Sequence, residues 1–413
     1  MSTQTFDRHS RLDQESYFIF QISNLKTLAL IFGIITCFSC GEPNKNEKTV
    51  PPDSSKEDWT LVPFNKVDSV NPVLQPDSTT IFRCPVRKEI VKWEEKDVFN
   101  PATVVRNDTI FLLYRAEDKV GKYAGTSRIG LAYSTDGLHF KRYRIPVFYP
   151  NNDEQKKYEW EGGCEDPRVV EDSSGTYYMT YTAYDGDKAR LLVASSIDLF
   201  HWKKHGPAFA NAFNGKYINT WSKSGSIVSS YEKNGRIIAA KVKGKYWMYW
   251  GDVNIWAAVS DDLVNWTPVL YEAGEKPTIE LRHNAKEIPE IKIVFGPRPK
   301  KFDSDLVEPG PPAMLTDKGI VLIYNSRNVP SIGDSSLPEG TYAAAQVLID
   351  KNDPSKVLSR MESYFMKPDK PYEISGQVNH VCFVEGLAFK NNVWYLYYGT
   401  ADSKIAVAQK RDQ

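Results

Sequence analysis

Three carboxylates sit in settings that could set their proton affinities apart. Asp166 stands in Glu165-Asp166-Pro167-Arg168, Glu308 opens Glu308-Pro309-Gly310-Pro311-Pro312, and Glu385 lies in Val384-Glu385-Gly386. Neighbours of both signs around Asp166 can tune its carboxyl in either direction. Cleavage of a glycosidic bond needs such a pair, one carboxyl protonated for the leaving group and one ionised to activate water. Local pattern alone leaves a second reading equally open, in which Glu165–Arg168 is a salt-bridged strand cap. The six histidines are dispersed, and Cys84, Cys164 and Cys382 lack zinc-like spacing. No metal and no cofactor is therefore expected. The three thiols are expected to be buried and free, with one disulfide as the alternative.

The segments that must position these carboxyls repeat along the chain. An aromatic strand with a polar end occurs at 111–118, 177–185, 246–252, 321–325 and 394–402. After the first three copies comes a Ser-x-Asp-x-x-x-aromatic segment: Ser134 to Phe140, Ser196 to Trp202 and Ser260 to Trp266. Before each aromatic strand runs a polar-to-apolar lead-in, at 99–105, 165–170, 223–228, 308–315 and 384–389. Repeats of about 60 to 75 residues, each with three or four short strands, predict an all-β fold: a five-bladed β-propeller of four-stranded antiparallel sheets. The lead-ins are then expected to be innermost. Asn100, Asp166, Lys223, Glu308 and Glu385 would converge on one funnel.

Composition narrows the partners. Lys+Arg and Asp+Glu balance at 52 each, so no basic face for nucleic acid is expected. Aromatics at 13% suit pleated strands first and sugar faces second. The N-terminus reads differently. Lys26 precedes a short apolar run, Leu28 to Ile35, and small residues precede Cys40. That order is a secretory signal. It resembles a bacterial lipoprotein signal with a loose lipobox, which makes Cys40 the acylated residue; an uncleaved anchor is the alternative. The expected organisation is a signal over 1–40, a polar tether over 41–58 and a catalytic domain over 59–413. The protein is then exported and held by lipid in the periplasm or at the cell surface, with no other membrane contact.

Gly162-Gly163-Cys164-Glu165-Asp166-Pro167-Arg168 and Tyr181-Thr182-Ala183-Tyr184-Asp185 resemble glycoside hydrolase family 130. So do Phe99-Asn100-Pro101-Ala102, the Glu308 segment and Tyr397-Tyr398-Gly399-Thr400-Ala401-Asp402. The similarity runs from about Trp59 to Ala408. It implies a five-bladed propeller acting on β-mannosides with inversion, as phosphorylases mostly and as β-1,2-mannosidases in other members. It also implies that Asp166 donates the proton, acting through a hydroxyl of the mannosyl unit. Asn100, Arg115, Arg128, Glu165, Arg168, Tyr184, Asp185, Lys223, His380 and Asp402 are the substrate-binding candidates. Arg128, Arg190 and Lys223 are the candidates for holding phosphate. Two departures favour water over phosphate: Glu308 and Glu385 stand where phosphorylases carry apolar, small or neutral residues. Export points the same way, because sugar phosphate released outside the cytoplasm is not retained. The expected function is inverting hydrolysis of a β-mannoside oligosaccharide or glycan, β-1,2-linked, with Glu308 as base and Glu385 as second candidate. The separation expected between Asp166 and Glu308 is about 6.5–9.5 Å. Phosphorolysis to mannose 1-phosphate, with inorganic phosphate as co-substrate, is the second reading. A non-catalytic glycan-binding propeller is the third.

Overall fold

The computed structural model describes residues 58–123, 125–277, 281 and 283–412. The expected signal, Cys40 and the tether up to residue 57 lie outside the described residues. One compact unit spans Leu61–Gln413. Its described secondary structure is almost wholly β, with short helical turns such as Lys156–Glu159 and Pro371–Ile374.

Strands follow one another up and down in successive antiparallel groups. After a short strand β1 (Asn65–Lys66), the first group is β2 (Asp97–Arg106), β3 (Thr109–Glu117), β4 (Ser127–Ser134) and β5 (Lys141–Arg142). The second is β6 (Gly163–Glu171), β7 (Tyr177–Tyr184), β8 (Ala189–Ser196) and β9 (Lys203–Pro207). In the third, β10 (Ser226–Ile227), β11 (Lys245–Trp250), β12 (Ile255–Ser260) and β13 (Trp266–Pro268) pair in order. The fourth has β14 (Leu306–Pro309) and β15 (Met314–Leu315) both on β16 (Ile320–Arg327), then β17 (Tyr342–Ile349) and β18 (Val357–Arg360). The last is β19 (Cys382–Lys390), β20 (Val393–Thr400) and β21 (Lys404–Arg411), and β1 adds to its outer edge.

The aromatic strands are apolar on both faces because each lies between two neighbours. Side chains alternate along a strand, so Leu113 packs with Met179 and Tyr181 of the second group. Leu112 and Tyr114 pack with Tyr395 and Tyr397 of the last. Met248 and Trp250 meet Leu191 and Val193, Tyr249 meets Leu322 and Tyr324, and Ile323 meets Leu396 and Tyr398. Each fully buried large side chain contributes about 1.5–3 kcal/mol, so the cores between groups dominate stability. The recurrent Ser-x-Asp segment is a turn device. Asp198 Oδ1 accepts from the Phe200 and His201 amides and Ser196 Oγ from that of Leu199; Asp262 and Ser260 repeat the arrangement.

The lead-ins pair with the aromatic strands as expected, but two are interrupted. Pro311 and Pro312 have no N–H to give a ladder, so the fourth lead-in splits into β14 and β15. The third pairs only at Ser226–Ile227, leaving Lys223 to Gly225 outside a strand. Cross-links join each group to the next. Ser127 bridges to Gly163, Thr180 Oγ1 donates to Gly225 O, Ser226 Oγ to Pro311 O, and Asn325 Nδ2 to Val384 O. Thr103 Oγ1 donates to Leu387 O, joining first and last.

Candidate active site

Backbone irregularity presents the candidate residues. Register breaks lie between Phe99 and Pro101, between Glu165 and Arg168, and between Val384 and Gly386. They leave Asn100, Asp166 and Glu385 out of the ladder. A bulge of this kind re-aims a side chain. Asn100 and Asp166 have φ of 47° and 45°, a left-handed conformation that Asn and Asp tolerate better than most residues. Gly386 follows its bulge because a Cβ there would lie 2.7 Å from Pro101 O.

Asp166 is the hub. Its Oδ1 accepts from Asn100 Nδ2 at 3.0 Å and Arg115 Nη1 at 3.2 Å. Arg115 also donates to Glu117 at 2.8 Å and Glu165 at 3.0 Å, and its guanidinium lies 4.6 Å over the Phe99 ring. Lys223 Nζ stands 4.0 Å from Asp166 Oδ2 and 3.7 Å from Glu308 Oε1. Both carboxylates therefore lie within about 8 Å of each other, inside the upper bound of an inverting pair. Ser224 Oγ donates to Glu308.

Arg168 is fully buried and acts on backbone. It donates to Gly310 O at 2.7 Å, Pro309 O at 2.6 Å and Asp166 O at 3.2 Å. One guanidinium thus ties the bulge bearing Asp166 to the turn that follows Glu308. Each of its three nitrogens donates to one of these carbonyls, which makes Arg168 a brace between the two segments. Glu385 lies 3.6 Å from Arg168, and neither of its buried oxygens has a hydrogen-bond partner. Arg128 is set apart from this cluster's contacts: it pairs with Asp118 at 2.7 Å and with Thr126 O. Arg190 pairs with Asp185 at 2.6 Å and with Asn219. Arg190 is held by these local partners and Arg128 through Nη1 alone, its Nε and Nη2 having no hydrogen-bond partner, whereas Lys223 faces the carboxylates. Tyr184 lies beside Tyr123, with ring centroids 6.2 Å apart. His380 is half-buried with φ 59°, and its carbonyl accepts from the Tyr342 amide.

Electrostatics separate the carboxyls, in an order opposite to the expected roles. Burial pushes Asp166 up, but Arg115, then Lys223 and Asn100, outweigh it and hold the group at about 2. Burial raises Glu308 against the opposition of Lys223. Glu385 is raised well above the usual range by burial, with Arg168 opposing and Asp166 adding repulsion. Burial also carries Asp402 up to about 7, Arg115 opposing. Asp166 is thus the strongest acid of the set, and Glu308 and Glu385 hold protons more tightly. Lys223 lowers both Asp166 and Glu308. Removing that cation in Lys223→Met should move both limbs of the kcat/KM pH profile to higher pH. Limbs that stay in place would remove Lys223 from the titrating cluster.

Sequence reasoning missed several members. Glu117 anchors Arg115 and Lys96. Asp252 accepts from Trp221 Nε1 at 2.6 Å and acts on Lys223 and Glu308. Both occupy the polar end of an aromatic strand, where Asp185 and Asp402 were picked out; equivalence across the repeat was the available signal. Ser224 and Phe99 carried no signal beyond adjacency to Lys223 and Asn100. The thiols of Cys84, Cys164 and Cys382 are buried and free, as favoured.

A buried set of carboxyls with unequal proton affinities, two of them presented at strand bulges, suits acid–base cleavage of a glycosidic bond. The chain belongs to glycoside hydrolase family 130: the family model described as beta-1,4-mannooligosaccharide phosphorylase matches residues 66–413. It is similar to a crystallised glycosyl hydrolase from Bacteroides ovatus, 46% identical with a TM-score of 0.80, over 86% of this chain and 95% of that one. A second structure is 45% identical with a TM-score of 0.79, over 88% of this chain and 96% of that one. Its description is that the family of mannoside phosphorylases contains glycoside hydrolases that target β-1,2 mannosidic linkages in Candida mannan. Identity is 31% over 326 residues to the 1,2-beta-oligomannan phosphorylase of Thermoanaerobacter sp. (strain X514), covering 77% of this chain and 90% of that protein.

Proposed function

We propose that this chain hydrolyses β-1,2-mannosidic bonds of oligosaccharides or glycans with inversion, on a five-bladed β-propeller. The observation that carries hydrolysis is Glu308: a buried carboxylate beside Lys223 and within about 8 Å of Asp166, below the upper bound for an inverting pair. An anion there repels phosphate and can take a proton from water. The relatives at 45–46% identity described as glycosidases or hydrolases support the same reading. The propeller reading is supported by five up-and-down strand groups among the described residues, each cross-linked to the next and the last to the first.

In the proposed reaction water attacks the anomeric carbon and gives a proton to Glu308. Asp166 supplies a proton to the departing oxygen through a hydroxyl of the mannosyl unit. Productive turnover then needs the proton on Asp166 and the charge on Glu308, the reverse of their order of proton affinity. Such coupled carboxyls titrate as a pair, so the active form is a minority species that a bound sugar must favour. Product analysis with and without phosphate tests the reading.

Export and lipid attachment at Cys40 belong to the same proposal, supported by the residue order before Cys40 and the polar stretch after it. Wild-type protein should fractionate with membranes, and Cys40→Ala should become soluble or stay uncleaved. Unprocessed wild-type protein in the cytoplasm would contradict the proposal.

A further inference from the structure

A second concave site lies outside the carboxylate cluster. The segment after β5 and the turn between β8 and β9 enclose a cavity of about 460 Å³, within the usual range for small-ligand sites. Rings form one wall. Phe200 is 36% exposed and meets Tyr143, itself 41% exposed, edge to face at 5.4 Å; Trp202 is half-buried beside them and packs against Phe148. Polar side chains also line the cavity: Asn151 and Glu154 are exposed, and Gln155 Oε1 is a buried acceptor with no hydrogen-bond partner.

The repeat shows that the Phe200 ring is not required by the turn, whereas Trp202 shares the turn bond of its counterpart Trp266. Phe200 occupies the place of Leu138 and Val264 in the sister segments. Trp266, the counterpart of Trp202, is 1% exposed and serves a core. Charge then selects the ligand. Lys204 Nζ is committed to Glu159 at 2.5 Å and Asp153 at 3.2 Å, and it is the cavity's one lysine or arginine. With its cation neutralised and Glu154 nearby, the groove disfavours anions. A neutral polyhydroxyl chain fits: sugar C–H faces on the rings, hydroxyls on the amides and carboxylate.

We infer that this groove is a second glycan-binding site, which holds a polysaccharide away from the site of cleavage. The choice of mannan as its ligand rests on the function proposed above; the geometry of the groove does not. The test is affinity electrophoresis of the full chain through gels containing Candida mannan, for wild type, Phe200→Ala and Gln155→Ala, with hydrolysis of β-1,2-mannobiose measured alongside. Retardation should fall roughly two- to ten-fold for Phe200→Ala, the size of a lost ring contact, while mannobiose turnover is unchanged. Gln155→Ala, whose side chain is not part of an apolar core, should weaken retardation in the same direction. Retardation equal to wild type in both variants overturns the inference. A wild type that mannan retards but that cleaves no mannoside would contradict the proposed function and leave the groove standing.

Discussion

Asp166→Asn is expected to lower turnover of an unactivated β-1,2-mannoside by roughly 10²–10⁴-fold, the range for loss of a general acid. Folding should survive the change. The carboxamide keeps an oxygen to accept from Asn100 and Arg115, and Arg115 retains Glu117 and Glu165 as counter-charges. A melting temperature close to wild type, together with collapsed kcat, is therefore the expected pair of results. Near-normal turnover would return the Glu165–Arg168 segment to the role of a strand cap.

Glu308→Gln is expected to cost a comparable factor, on the order of 10²–10⁴ in kcat, with little change in KM because the loss is felt in the transition state. Glutamine still accepts from Ser224 but cannot take a proton from water. Glu385→Gln should cost less. Its carboxyl faces Arg168 at 3.6 Å, and burial raises its proton affinity well above the usual carboxylate range, which makes it the weaker candidate for the base. Full hydrolysis by Glu308→Gln, with activity lost in Glu385→Gln, would exchange the two assignments.

The repeat was legible because strand alternation and the Ser-x-Asp turn leave marks within a few residues. Convergence of Asn100, Asp166, Lys223, Glu308 and Glu385 followed from placing their lead-ins alike, and the cross-links among those strands carry it. Bulges at Asn100, Asp166 and Glu385 were hinted at by the adjacent prolines and glycine. What the sequence hid was three-dimensional charge. Arg128, Arg168 and Arg190 read alike as cations near the motifs, yet Arg168 bonds three carbonyls, Arg190 bonds Asp185 and Asn219, and Arg128 is held through Nη1 alone. Lys223, by contrast, stands between Asp166 and Glu308. The low proton affinity of Asp166 was equally hidden, because Arg115 lies 51 positions away in the chain and Lys223 acts from a different strand group.

Hydrolysis itself is tested most directly by incubating the purified protein with β-1,2-mannobiose, with and without inorganic phosphate, and separating the products. The account predicts free mannose at the same rate in both, with the newly formed anomer inverted and no mannose 1-phosphate. Mannose 1-phosphate appearing when phosphate is supplied, or a rate that depends on phosphate, would contradict it.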